Sequence, residues 1–198
     1  MTFRMLAATV ALALSAGAHA AVFSDNFNTN PLGTDVTPTG WSLSSGTDDV
    51  DVIGDGFFDF LPGNGAYIDL AGSNGVPGAA ILTSPSFATV AGQTYTATFE
   101  IAGNQRNDGT DTVTVKFGSS TWTTPTLASS QGFTTYSVSA AGTGSPMTLS
   151  FEDSRAGNVG ALLDDVSVSV SAVPEPGSLT LMLAGFAALG VVARRRRS

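Results

Sequence analysis

Between Thr94 and Val170 the large apolar residues recur at every second position. Tyr95, Ala97, Phe99 and Ile101 alternate with Thr94, Thr96, Thr98 and Glu100, and Val113, Val115 and Phe117 alternate with Thr112, Thr114 and Lys116. The sets Tyr136/Val138/Ala140, Met147/Leu149/Phe151 and Val166/Val168/Val170 repeat the pattern. Successive strand side chains point to opposite faces, so each run carries one apolar face and one face of hydroxyls and charges. Glycine, Asn and Asp clusters separate the runs, as in Gly103-Asn104 through Asp108-Gly109 and in Ala141–Gly144. About ten such runs occur, and no stretch of the body offers a three-turn helical stripe. A strand with a single apolar face must bury it against a second sheet. The fold expected is therefore all-β, a jelly-roll β-sandwich. Absence of a solenoid-period repeat argues against a propeller or β-helix.

Both ends stand apart from this pattern. Arg4 precedes the apolar run Met5–Leu14, and Ala18-His19-Ala20 gives the small-x-small pattern that signal peptidase reads. Residues 1–20 are thus expected to be a signal peptide cut between Ala20 and Ala21. Its apolar run is about half the ~20 residues of a spanning helix. At the other end the 15-residue apolar run Leu179–Ala193 is closed by Arg194, Arg195, Arg196 and Arg197. As a helix it would be about 22 Å long, and snorkelling arginines with Gly177 and Ser178 would complete a span. The arginines belong on the cytoplasmic side of the inner membrane, which leaves the body outside.

Between body and apolar run lies Val173-Pro174-Glu175-Pro176-Gly177. Pro-Glu-Pro, a short apolar helix and a terminal Arg cluster, in that order, resemble the PEP-CTERM sorting signal of Gram-negative bacteria. That resemblance implies recognition of Pro174, Glu175 and Pro176 by exosortase, removal of the segment 173–198, and transient membrane anchorage before release to the cell surface or extracellular matrix. The alternative is an ordinary tail anchor on a Pro-rich stalk. Two prolines fit a cleavable handle, because they lack backbone donors and hold the segment extended.

The body, residues 21–172, carries three basic residues against fifteen acidic ones, a net charge of −12. Such a surface has no clustered Lys and Arg for phosphates, so nucleic acid is not an expected partner. Gly40-Trp41, Val50–Gly54, Gly65–Ser73, Ala91–Tyr95, Phe99–Asn104 and Leu163–Val168 occur in an order that resembles the choice-of-anchor C family of exported domains. Those domains are similar to plant cell-wall proteins with a galactose-binding-like jelly roll. The likeness implies fold and surface location and brings no chemistry with it.

An inventory limits catalysis. The chain has no Cys, and its one histidine, His19, leaves with the signal peptide. Ser-His-Asp triads, Cys-His dyads and His-ligated zinc are therefore excluded from the mature body. Lys116 is the only lysine and follows no phosphate-binding glycine loop. Paired carboxylates leave a glycosidase open, but a non-enzyme is expected.

Asp164 shares the parity of Val166, Val168 and Val170 and is expected to point inward, with Asp165 outward. A buried carboxylate needs donors or a cation. In galactose-binding-like carbohydrate modules a corresponding Asp holds structural Ca²⁺, and Asp25, Asn26 and Asn28 stand where they could complete an oxygen shell. The alternative is that Asp164 accepts backbone N–H bonds. Asp49 and Asp51 read as solvated carboxylates of a strand. For sugar binding, Trp122 lies among Ser119, Ser120, Thr121, Thr123 and Thr124, where it either presents a stacking platform or caps the core. Trp41 reads as core. The run Phe57-Phe58-Asp59-Phe60 cannot be wholly buried if extended, so one ring is expected to reach the surface. Together these features describe an exported, exosortase-processed protein that associates weakly with exopolysaccharide. A structural surface protein without a ligand site and a carboxylate-only glycosidase are the alternatives.

Overall fold

A computed structural model describes residues 21–44, 49–73, 80–155 and 157–171. The expected signal peptide and sorting segment, including Ala20, Pro174, Glu175, Pro176 and Arg194 to Arg197, lie outside the described residues. Every regular element among those described is a strand. In chain order these are β1 (Ala21–Asp25), β2 (Ser42–Leu43), β3 (Asp51–Gly54), β4 (Ala66–Asp69), β5 (Ile81–Thr83), β6 (Thr94–Ala102) and β7 (Thr110–Asp111). There follow β8 (Val113–Phe117), β9 (Ser120–Thr123), β10 (Leu127–Ala128), β11 (Thr134–Ala141), β12 (Leu149–Asp153) and β13 (Leu162–Val170). One sheet has the order β11-β6-β13-β4-β3, with β1 also paired to β13; the other runs β2-β5-β12-β8-β9, and β10 pairs with β7. The expected alternations hold: Tyr95, Ala97, Phe99 and Ile101 meet Val113, Val115, Phe117, Leu149 and Phe151 in one buried core. Phe99 and Phe151 touch edge to face across it, their centroids 5.1 Å apart. Trp41 is buried there too.

β13 departs from plain alternation, and the departure matters for the site. Asp164 lies opposite Glu100 but Ser167 lies opposite Thr98, so one extra residue is inserted between them. Asp165 takes a positive φ of 45° at this β-bulge. The bulge reverses the parity. Leu163, and not Asp164, continues the inner face of Val166 and Val168, while Leu162 and Asp164 go to the outer face. Unbroken period two places Asp164 on the core side; the register puts it with Glu100 on the outer face, where it is nonetheless buried, 4% exposed, with Asp165 exposed as expected.

The outer face of this sheet consequently has two halves. Toward β11 and β1 it carries rows of small hydroxyls, Ser137, Thr98, Ser167 and Ser24 in one and Ser139, Thr96 and Ser169 in the next. Toward β3 it carries Ile53, Tyr67, Leu162 and Ala102, a second apolar cluster covered by Phe57, Phe60, Leu61 and Phe133.

Candidate functional site

The cover over the second cluster begins at a tight turn. Gly54 and Phe57 exchange both backbone hydrogen bonds at 2.9 Å, and between them Asp55 and Gly56 have φ of 48° and 87°. Positive φ at both central residues is the two-residue hairpin turn that Asp-Gly favours. The chain then lies across the sheet and is pinned by Tyr67, whose hydroxyl accepts from the backbone N–H of Phe60 at 2.6 Å and of Leu61 at 3.0 Å and donates to Asp59 Oδ1 at 3.2 Å. Burial, with Asp59 adding to it, pushes the Tyr67 hydroxyl up to about 12, so it remains a donor across the neutral range. Phe58 is different from its neighbours. It holds a positive φ of 45° and is 58% exposed, a backbone state that is uncommon for a bulky residue.

Beneath Phe58 and Phe60 opens a cavity of about 280 Å³ with Asp51, Ile53, Asp69, Ser73, Arg106 and Asn158 in its wall. Asp51 and Asp69 are directly opposite each other on β3 and β4. Both are buried, so the solvated reading of Asp51 is corrected. Asp51 lies beside a second carboxylate and under the loop rather than on an open strand. Its Oδ1 accepts from the N–H of Asp35 at 2.8 Å and of Ser73 at 3.1 Å, and its Oδ2 from the Ser73 hydroxyl at 2.7 Å. Asp69 accepts from the N–H of Ala71 and Gly160 on Oδ1 and from Arg106 Nη2 at 2.6 Å on Oδ2. Burial raises the Asp69 carboxyl to about 7, although the Arg106 guanidinium opposes the rise. Arg106 also donates through Nη1 to the Asn158 carbonyl at 2.9 Å and through Nε to the Asn104 carbonyl at 3.3 Å. Its guanidinium carbon stands 5.1 Å from the Phe60 ring centroid, within reach of a cation–π interaction. The wall therefore offers an exposed ring, a neutralised ion pair and a further carboxylate in one concavity.

The residues singled out from sequence are placed elsewhere. Trp122 is on edge strand β9 with its ring turned inward, 5.4 Å from Tyr136 and 6.1 Å from Phe99 by centroid. Alternation on β9 sends Thr121 and Thr123 out and Trp122 in, so it caps the open side of the core and is not an isolated platform. Asp25 accepts from Trp41 Nε1 at 2.8 Å and from the N–H of Phe27 at 2.8 Å. Asn26 Oδ1 accepts from the N–H of Asn28, while Asn28 Oδ1 turns to β4 and accepts from the N–H of Ala66 at 2.7 Å. Asp164 Oδ1 accepts from the N–H of Asp165 at 2.7 Å, and burial, with Asp165, Glu100 and Asp25 nearby, raises its carboxyl to about 7. Asn28 is thus committed away from Asp164. Among the described residues no three acidic or imidazole side chains converge on a metal position.

A second buried carboxylate centre sits where loops 103–109 and 154–161 meet. Asp153 accepts from the N–H of Ala161 at 2.6 Å and of Arg155 at 2.8 Å, and burial raises it to about 6. Asp111 Oδ1 has no hydrogen bond and lies 3.6 Å from Arg155 Nη1. Of the cavity's residues, only the Phe57–Phe60 run gave a sequence signal, through its inability to bury every ring. Asp69 and Arg106 are 37 positions apart, and no spacing rule joins them.

Known folds of this shape are numerous. The chain is similar to the K3 cleaved adhesin domain of Lys-gingipain from Porphyromonas gingivalis, with a TM-score of 0.54 and 15% identity over 76% of this chain and 98% of that one. It is also similar to the CBM22-1 xylan-binding domain of a Paenibacillus barcinonensis protein, with a TM-score of 0.53 and 15% identity over 81% of this chain and all of that one. A Clostridium thermocellum endo-1,4-beta-D-xylanase containing CBM22-1 and GH10 modules matches with a TM-score of 0.51 and 13% identity over 79% of this chain. The chain spans only 29% of that enzyme. These likenesses establish a sandwich of the carbohydrate-binding-module type. No curated protein matches the chain in sequence. A PEP-CTERM protein-sorting motif matches residues 172–197, which marks the protein for export. A protein of unknown function family (DUF642) matches residues 23–169, almost the whole sandwich, and the chain belongs to that family.

Proposed function

We propose that this is an exported, non-catalytic polysaccharide-binding protein of the cell surface or extracellular matrix, and that it holds a sugar ring in the Phe58–Phe60 cavity. The observation that carries this reading is Phe58, a large aromatic side chain kept exposed on a left-handed backbone. Neither property stabilises the fold, and both suit a stacking platform at the mouth of a cavity with polar groups. At about 280 Å³ the space falls just below the usual range for drug-sized ligands, which suits one ring of a chain that otherwise runs along the surface. Similarity to xylan-binding and other carbohydrate-binding modules supports the class of ligand, and the sorting motif supports processing by exosortase. Asp51 and Asp69 do not resemble a glycosidase pair in their surroundings, because backbone N–H groups, Ser73 and Arg106 already engage their oxygens.

Retention on a panel of insoluble and immobilised polysaccharides, run with native protein and Phe58→Ala, tests this. The expected result is retention on at least one glycan, without release of reducing sugar, and its loss in the variant. Retention on none, with the protein folded, would leave a structural surface protein as the better account. Intact mass of the released protein tests the processing, with an expected start at Ala21 and no Leu179–Ser198.

A further inference from the structure

Resting on the polysaccharide-binding reading, we infer that the Phe58–Phe60 cavity selects an amino sugar carrying a free ammonium group over neutral and acidic sugars. The argument begins with the charges in the wall. Asp51 and Asp69 face one cation, Arg106, and the guanidinium is neutralised by Asp69 at 2.6 Å. Where Asp69 is ionised, above its value of about 7, Asp51 is left as the excess charge; below it Asp51 and Arg106 balance, and the preference for a cation rests on the open acceptor of Asp51. The body around it carries a net −12, which attracts cations from a distance.

Hydrogen-bonding capacity points the same way. The backbone donors of Asp35 and Ser73 are given to Asp51, and those of Ala71 and Gly160 to Asp69. Arg106 directs Nη2 to Asp69 and the Gly160 carbonyl, Nη1 to the Asn158 carbonyl and Nε to the Asn104 carbonyl, which leaves one Nη1 hydrogen. Ser73 gives its hydroxyl proton to Asp51, so toward the cavity its oxygen can only accept. Asp51 Oδ2 receives that single bond and has lone-pair capacity left. Apart from the Asn158 amide at the rim and the remaining Arg106 N–H, the wall offers acceptors. A carboxylate or sulfate would bring more acceptors and a like charge. An ammonium brings three donors and the opposite charge. The Phe60 ring already accommodates one cation at 5.1 Å, and exposed Phe58 offers a second aromatic surface for another.

Calorimetric titration of the full-length protein with three hexasaccharides tests the inference: β-1,4-linked glucosamine, the same backbone N-acetylated, and α-1,4-linked galacturonic acid. The glucosamine hexamer should bind about tenfold more tightly than its acetylated counterpart, equivalent to about 1.4 kcal/mol, and the galacturonate hexamer should not bind. Asp51→Asn preserves the acceptor for Asp35 and Ser73 and should bring the two glucosamine-backbone ligands to within about twofold of each other. Should that variant not reach the native melting midpoint, Asp51→Ser, which also removes the charge and keeps a hydroxyl acceptor, carries the same test. Phe58→Ala should weaken binding of both ligands by about tenfold or more, whereas general attraction to an acidic surface would survive it. Equal, Phe58-dependent binding of the amine and acetylated hexamers would overturn the charge selectivity and leave the polysaccharide reading standing. Amine binding that ignores Phe58→Ala would overturn the placement in this cavity. Failure to bind these ligands and every neutral glycan of the wider panel would overturn both readings.

Discussion

The two halves of one sheet face show how little sequence separates a passive surface from a site. Both halves share the strands β6 and β13 and stand on the same buried core. On the β11 side the outward positions are Thr96, Thr98, Ser137, Ser139, Ser167 and Ser169, short side chains that are exposed or half-buried, with Thr96 and Ser139 hydrogen-bonded to each other at 2.9 Å. On the β3 side Ile53, Tyr67, Leu162 and Ala102 point outward. Apolar side chains there demand a cover, at roughly 25 cal/mol per Å² removed from water, and loop 55–65 supplies it. A cover resting on a twisted sheet leaves a cavity at its edge, and that cavity is where Phe58, Asp51, Asp69 and Arg106 meet. The difference between the halves is therefore a difference in what the outward residues require.

The largest expected effect comes from removing the cation under the cover. Arg106→Met strands the buried Asp69 carboxylate and should cost about 3–5 kcal/mol at pH 8, read by denaturant unfolding. The cost should shrink at pH 5, because Asp69 titrates at about 7 and takes up a proton there. A pH-independent loss would show that Arg106 acts through packing alone. Next in size, Phe58→Ala should lose about 1–3 kcal/mol of glycan affinity, as expected for an aromatic anchor. Its melting midpoint should be unchanged or raised, since a side chain strained at positive φ and largely in solvent contributes little to folding.

A third test concerns acid. Burial raises Asp69, Asp164 and Asp153 to about 7, 7 and 6 from a reference of 3.8. A folded state that holds these protons more tightly than the unfolded chain gains stability below about pH 4 and loses it progressively as pH rises through 6 to 7. These groups should therefore make the protein melt higher at pH 5 than at pH 8. Asp164→Asn keeps the acceptor for the Asp165 N–H and removes one share of that loss, so it should raise the midpoint at pH 8, by about 2–4 °C for each kcal/mol recovered, and by a smaller amount at pH 5, where only part of the loss has accrued. Were Asp164 a calcium ligand, the same variant would melt lower in calcium, which reverses the sign. The smallest effect belongs to the hydroxyl half. Ser137→Ala should shift stability by no more than about 0.5 kcal/mol and leave glycan retention alone.

How much of this could be read from sequence depends on which interactions are periodic. The strands and their inner faces were legible because alternation reports burial directly, and the runs around Phe99, Val115 and Phe151 behave as their spacing says. The second cluster was less so. Ile53 and Tyr67 look like ordinary strand residues, and only the cover makes them a separate core. Asp164 was misassigned by one parity because the bulge at Asp165 carries no glycine to announce it. Trp122 stands out by its hydroxyl neighbours, yet the adjacent Thr121 and Thr123 are on the opposite face of β9 and Thr124 is itself buried. The Asp69–Arg106 pair was illegible, since it joins a strand end to a loop 37 positions away through tertiary placement alone.

The central claim is that glycan binds on the covered half of the sheet and not on the hydroxyl half. Amide chemical-shift mapping of the labelled protein during titration with a glycan it retains tests this most directly. The account predicts perturbations at Phe57 to Leu61, Ser73, Arg106 and Asn158, with Thr96, Thr98, Ser137, Ser139 and Ser167 unmoved. Perturbations confined to those Ser and Thr positions, with loop 55–65 silent, would contradict it.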